Sequence, residues 1–490
     1  MTNSLNPILY LLLLTSGLLS CQANEDEPHT LTTDQQQIRL ASNGEKKSFT
    51  ITTTAPTWTL KPIDTPWLTF SKTEGHAGAN TIEVTSAANP TTTLRAATVT
   101  LEAPGTPPAQ ITIQQAAALY PSYNTSPRAA DASGMQSDAV QLAAKMKLGW
   151  NTGNALEAIG GETAWGSPKI TKEFIGLVKQ SGFTAIRIPC SWNQYMDNTT
   201  TAQLKSSWLN RVKEVIQYCV DNDLYVILNI HWDGGWLENN CTPDKQVENN
   251  AKQRAFWEQI ATHFRDFDEH LLFAGANEPN VENATQMAVL TSYHQNFIDA
   301  VRSTGGRNTH RVLIIQGPST DIEKTNTLMT TLPTDPTPKR LMVEVHYYTP
   351  YNFTLMAKDE TWGNMFYYWG TGYHNNDDPT RNATYGEETA VNTNFALMKT
   401  KFIDKGIPVI LGEYAAMRRL DLPTPDATSK HLASRAHYIK YITRQALTHG
   451  LIPFYWDAGG PGNHGSSLFD RATNTITDPQ ALTAIQTATE

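Results

Sequence analysis

From residue 131 onward, short apolar runs alternate with longer stretches whose apolar residues recur at helical spacing. The runs fall at 147–150, 184–188, 225–230, 271–275, 312–315, 341–345, 408–411 and 452–455. Helical spacing occupies, among others, 170–180, 209–221, 255–267, 293–301 and 433–447. Near-continuous apolar strands are what a parallel sheet covered on both faces requires. Eight strand–helix units in about 360 residues predict an α/β fold, a (β/α)8 TIM barrel with some enlarged loops over 131–490. The rival is an open doubly wound sheet. No Gly-x-Gly-x-x-Gly or phosphate-cradling glycine loop follows any strand, so the barrel is preferred.

Residues 30–117 follow a different period. Alternating runs such as Ser48-Phe49-Thr50-Ile51-Thr52, Asn80-Thr81-Ile82-Glu83-Val84 and Ala97-Thr98-Val99-Thr100-Leu101 are broken by Gly, Pro and Asn. That pattern predicts a small all-β, immunoglobulin-like sandwich. Residues 118–130 have the Pro/Ser/Asn character of a linker. At the start, residues 8–19 form a 12-residue apolar run, short of the roughly 20 needed to cross a bilayer and suited to a signal-peptide core. The run ends Leu18-Leu19-Ser20-Cys21, which resembles the processing box of bacterial lipoproteins. The resemblance implies a signal peptide over 1–20, lipidation of Cys21 and an acidic tether over 21–29. It also implies an outer-membrane lipoprotein facing the medium, touching the membrane only through that lipid.

Composition narrows the partners. The chain has 47 acidic and 38 basic residues, a formal charge of −9, with 40% hydrophobic and 17% charged residues. This is enough for a sizeable core, and it lacks the basic excess that nucleic acid or a polyanionic glycan requires. A monomer is expected. Of four cysteines, Cys190, Cys219 and Cys241 form an odd set with at most one bridged pair.

Barrel chemistry sits where strands end. Those ends carry Asn151 and Asn154, Arg187, His231, Asn277-Glu278, Gln316, His346 with Tyr348, Glu413 and Trp456-Asp457. Glu278 follows the fourth strand and Glu413 the seventh, so their carboxylates can face each other across the mouth. Two such groups without clustered metal ligands suit cleavage of a glycosidic bond, with retention if they stand about 5 to 5.5 Å apart. No metal and no cofactor is expected. With Glu413 ionised, its charge should favour a protonated Glu278.

The motifs Asn277-Glu278-Pro279, Gly412-Glu413-Tyr414, Arg187-Ile188-Pro189, His346-Tyr347-Tyr348 and Tyr455-Trp456-Asp457 resemble glycoside hydrolase family 5. The opening Gly149-Trp150-Asn151-Thr152-Gly153-Asn154-Ala155-Leu156-Glu157 is similar to its subfamily 4, of endo-β-1,4-glucanases and xyloglucanases. The resemblance implies Glu278 as general acid/base and Glu413 as nucleophile, with Arg187 orienting Glu413 and Tyr348 holding it. Asn277 would bind the 2-hydroxyl, His231 and His346 would bind hydroxyls or tune the acid, and Trp456 would floor the −1 subsite. Trp58, Pro66-Trp67-Leu68, Gly75 with Asn80, Asn89 and Arg95 resemble a BACON domain. Its Trp58 and Trp67 are expected in the core, making the module a spacer.

Segment 347–373 holds ten aromatics in 27 residues, a density too great for a local core alone, and flat rings stack on sugar faces. Trp362 in this segment, with Trp165, Trp236, Trp456 and Asn151, is therefore expected to bind substrate. The expected partner is a β-glucan, xyloglucan or mixed-linkage, cleaved internally. The alternatives are a β-mannanase and a catalytically silent surface glycan-binding protein.

Overall fold

The computed structural model describes residues 28–490; Cys21 and the leader lie outside the described residues. These residues form two units, 28–117 and 118–490.

In the first unit, seven strands pair into one hydrogen-bonded sheet. All neighbours are antiparallel except Gln37–Leu40, which runs parallel to Ala109–Gln115. Alternate residues of every long strand, among them Phe49, Ile51, Ile82, Val84, Val99, Leu101, Ile111 and Ile113, meet in a single core. One sheet with one shared core must wrap upon itself. Lys46–Leu60 makes the turn possible: it pairs with Glu74–Ser86 and, at its end, with Arg95–Glu102, and its register shifts between Thr53 and Thr57. Trp58 is buried in this core. A Cβ on Gly75 would stand 2.6 Å from the Trp58 indole nitrogen, so a side chain is excluded there. Trp67 is half-buried, with the Arg95 guanidinium 4.5 Å from its ring centroid.

The second unit is a closed eight-stranded parallel barrel. Its strands are β1 (Gly149–Thr152), β2 (Ala185–Ile188), β3 (Tyr225–Asn229), β4 (Leu271–Ala274), β5 (Leu313–Gln316), β6 (Leu341–His346), β7 (Val409–Tyr414) and β8 (Leu451–Asp457). Period two divides each strand between two cores. Ile186, Val226, Phe273, Leu313, Val343 and Leu411 pack outward with the surrounding helices. Ala185, Ile227, Leu272, Ile314, Met342, Ile410 and Phe454 fill the interior, and the short helix Ala139–Lys145 closes its base with Ala139 and Leu142. Above that apolar layer the inward positions turn polar: Asn151, Arg187, Asn229, Gln316 and Glu344, all buried.

Residues 118–130 are not the free linker that their composition predicts. The Glu258 carboxylate accepts hydrogen bonds from the Ser122 hydroxyl (2.9 Å) and the backbone N–H groups of Tyr123 (2.7 Å) and Asn124 (3.1 Å). Arg128–Ala130 then pairs as a strand with Gly305–Gly306. A Cβ on Gly305, whose φ is +68°, would lie 1.8 Å from the Arg128 carbonyl oxygen, so only glycine allows that approach. Polar composition marked a segment without a hydrophobic face of its own, and the barrel supplies its partners. Cys190, Cys219 and Cys241 are all free and buried. No described helix is long and apolar enough to cross a membrane.

Candidate active site

Strand parity places most of the site. Glu344, His346 and Tyr348 stand at i, i+2 and i+4 along β6 and its extension, so all three project to the same side. In register, Arg187 lies beside Asn151, Gln316 beside Glu344 and His346 beside Glu413. Glu413 itself breaks parity. Ile410 points into the barrel and Leu411 outward, so a regular strand would turn Glu413 away from the mouth. Register shifts on both flanks of β7, beside Val345/His346 and Leu411/Tyr414, re-aim it inward.

Arg187 is fully buried and is the hub. Its Nη1 donates to Glu413 Oε1 (2.8 Å) and Asn151 Oδ1 (3.0 Å), and its Nη2 to Asn277 Oδ1 (2.7 Å). Its Nε forms an ion pair with Glu344 Oε1 at 2.8 Å. The Tyr348 hydroxyl donates to Glu413 Oε2 (2.9 Å). His346 bridges two carboxylates, with Nδ1 2.7 Å from Glu278 Oε1 and Nε2 3.2 Å from Glu344 Oε1. Glu238, after β3, accepts from the Glu278 backbone N–H (3.1 Å) and from Asn277 Nδ2 (3.2 Å), fixing the loop that carries Glu278. One oxygen of Glu278, one of Glu413 and a nitrogen of His346 all lie within 4.8 Å of one another.

Charge settles the protonation. Burial works against an imidazolium at His346, but Glu413, Glu278 and Glu344 outweigh it and push its pKa up to about 10. A ring protonated on both nitrogens donates, and it offers no lone pair to a metal ion. Burial also opposes charge on Arg187 and Glu344; each is overruled chiefly by the other, so Arg187 lies above and Glu344 below its ordinary value. Two cations thus face Glu344 and the glutamate pair, an assembly that is neutral when the pair holds one proton. Burial raises Glu413 against the pull of His346 and Arg187. At Glu278 burial is outweighed by the His346 hydrogen bond, which holds it below the usual range. At rest, therefore, the order is opposite to the one expected from the Glu413 charge alone, because the nearest group to Glu278 is a cation. Burial, then the charges of Arg187 and His346, press His231 well below its ordinary value. It stacks neutral on Trp456, ring centroids 5.8 Å apart and planes 8° apart.

Some expected binding residues have other work. Asn151 is completely buried, its amide spent on Arg187 and the carbonyl oxygens of Gly412 and Tyr455; it positions the hub and cannot reach a ligand. Trp236 packs edge-on against Phe256, with the Lys252 ammonium over its ring and its indole N–H bonded to Asp233. It is a strut for the β3 loop, not an open platform. Aromatic density in 347–373 is mostly local core after all: Tyr347, Phe353, Phe366, Tyr367, Tyr368 and Trp369 are buried. Among the rings that remain open are Trp362 (64% exposed), Tyr351 (48%), Trp165 (44%) and Tyr373, and also Trp232 (40%), which sequence reading did not assign to substrate. Its position directly after His231, at the end of β3, was the available signal. Asn277 is held at both ends of its amide; among the described residues only Glu238 accepts from Nδ2, which leaves its second N–H for the cleft. Beside Glu278 and His346 opens a groove of about 620 Å³, lined also by Tyr348, Tyr351, Tyr385 and Asn394.

Two carboxyls this close, one clamped by Arg187 and Tyr348 and the other open to the groove, can bond to a sugar carbon and exchange a proton with the departing oxygen. Because Asn151 touches only protein, Asn151→Ala should lower kcat on a β-glucan oligosaccharide about tenfold or more with KM nearly unchanged. A raised KM at unchanged kcat would return Asn151 to the binding surface.

Residues 150–461 match the model of the family described as cellulase (glycosyl hydrolase family 5), and 30–118 match one described as viral BACON domain. A xyloglucan-specific endo-β-1,4-glucanase of Bacteroides ovatus is 35% identical over 98% of this chain and 95% of its own length. Endoglucanase A of Paenibacillus barcinonensis is 36% identical over 76% of this chain and 94% of its own. Among solved structures, a Bacteroides ovatus GH5 xyloglucanase in complex with a XXXG heptasaccharide superposes with a TM-score of 0.70 at 33% identity, covering 94% of this chain and 99% of that one. A family 5 xyloglucanase from Paenibacillus pabuli gives 0.65 at 35% identity, over 71% and 100%. With the barrel and most of its rim inside the matched span, the chain belongs to glycosyl hydrolase family 5.

Proposed function

We propose that the protein hydrolyses internal β-1,4 linkages of xyloglucan, with mixed-linkage β-glucan as a second substrate, Glu413 acting as nucleophile and Glu278 as acid and base. The chain is a family 5 glycoside hydrolase of the endo-β-1,4-glucanase kind, which works with retention. The observation that carries the residue roles is the approach of the two carboxylates to within 4.8 Å beneath one cleft. That spacing suits direct attack and is well short of the roughly 6.5 to 9.5 Å at which inverting enzymes seat the attacking water.

A glucan chain changes the resting protonation. The Glu278 side chain is 40% exposed, and covering it with sugar removes water that favours its charge, so its neutral form gains. Glu413 keeps its two donors, Arg187 and Tyr348. Glu278 then passes its proton to the glycosidic oxygen as the C1–O bond breaks and a Glu413 oxygen bonds to C1. Esterification removes the Glu413 charge. Glu278 takes a proton from water, the water oxygen attacks C1, and Glu413 leaves as carboxylate. The groove on the Glu278 side receives the departing chain, and Trp165, Trp232, Tyr351 and Trp362 offer faces to an extended polymer. The likeness to xyloglucan-specific enzymes over nearly the whole chain supports xyloglucan as the polymer.

Xyloglucan, barley-type β-glucan, carboxymethylcellulose, xylan and mannan assayed side by side should give fastest release from xyloglucan, with large oligosaccharides first and Glu413→Gln inactive throughout. Monosaccharide alone from chain ends, or equal activity in the Gln variant, would reject the reading. The motif at Cys21 supports a second proposal, that the enzyme is tethered to the outer face of the cell by a lipid on that residue. Metabolic labelling with a fatty acid should mark the wild type and spare Cys21→Ser; equal labelling of both would exclude the anchor.

A further inference from the structure

Glu344 is a fully buried carboxylate that the reaction does not use. Oε1 lies 2.8 Å from Arg187 Nε and 3.2 Å from His346 Nε2, and Oε2 accepts from Gln316 Nε2 at 2.6 Å. Gln316 in turn accepts from the Ala276 backbone N–H (2.9 Å), at the root of the loop carrying Glu278. The adjacent strand makes room: a Cβ on Gly412 would come within 2.1 Å of Glu344 Oε1. The glycine immediately before the nucleophile is thus required by the carboxylate beneath it.

We propose that Glu344 is the positioning residue of this site, a buried counter-charge that locks Arg187 and His346 under the two glutamates and so keeps His346 charged beneath them. The proposal rests on Glu278 and Glu413 as the reacting pair. Without Glu344, two buried cations would face that pair with one counter-charge fewer, and the less tightly charged of the two, His346, would be the one to shed its proton. The other groups facing this cluster act in known directions. Glu413 and Glu278 favour the imidazolium, Arg187 opposes it, His231 is neutral, and the Tyr348 hydroxyl is occupied by Glu413.

The sign follows. Loss of the Glu344 charge takes away one of the three carboxylates that hold the proton on His346, so His346 begins to titrate in the working range and, once neutral, no longer holds Glu278 down. In Glu344→Gln the alkaline limb of kcat should shift by about one pH unit or more as His346 gives up its proton, and the imidazole NMR resonance of His346 should titrate below pH 9. In the wild type that ring should stay protonated to about pH 9. Glu344→Asp keeps the charge and should restore the wild-type limb even where kcat is reduced. A Gln variant with lowered Tm but an unmoved pH profile would reduce Glu344 to a packing residue. If that variant does not fold, the wild-type titration decides alone: a His346 midpoint near 6.5 overturns the proposal. The NMR result is independent of turnover, so it stands apart from failure of the catalytic assignment, which Glu413→Gln reports.

Discussion

A guanidinium sealed from water lies at the centre of this barrel, and the rest of the rim is arranged around it. Taking Arg187 out of solvent costs several kcal/mol unless opposite charge and hydrogen-bond acceptors surround it. Glu344 supplies the charge from beneath, Glu413 from above, and the amide oxygens of Asn151 and Asn277 complete the shell. Each contact also orients something needed for chemistry. Glu413 is held by one nitrogen, Asn277 before Glu278 by another, and His346 is tied to the same carboxylate that neutralises the hub.

Backbone geometry makes that cluster possible. A strictly pleated barrel would offer inward positions at every second residue, and β6 follows this rule through Glu344 and His346. The β7 strand departs from it through shifted register, which lets Gly412 and Glu413 serve consecutively, one as space for the Glu344 carboxylate and the next as a carboxylate facing the mouth. Helix packing outside and the apolar plug below hold the strands rigid, so the two glutamates come from strands on opposite sides of the mouth yet meet over a few ångströms.

Much of this was legible in the chain. Apolar runs located every barrel strand because a strand buried on both faces has a continuous signature, and the polar residue ending each run marked the rim. Glu278, Glu413, Arg187, His346 and Tyr348 were found that way. Glu344 was absorbed into an apolar run, since a single charge flanked by Leu341, Met342, Val343 and Val345 leaves the run recognisable as a buried strand. Asn151 was taken for a ligand contact because position at a strand end does not say how deep the side chain lies. The aromatic loop misled for a related reason: density does not separate rings that form a floor from rings that lie open, and Trp362 and Trp369 differ only in what the fold places over them. The segment 118–130 read as a linker because its partners, Glu258 and Gly305, are more than a hundred residues away.

The account stands on Glu413 becoming bonded to the sugar. A 2-deoxy-2-fluoro cellobioside with a good leaving group should form that bond quickly and hydrolyse it slowly, because the fluorine destabilises the positive charge that both steps develop at C1. Mass spectrometry of the inactivated enzyme should show one added cellobiosyl group, and digestion should place it on the peptide at Glu413. An adduct on Glu278, or no adduct in an enzyme that still turns over its polymer, would contradict the arrangement described.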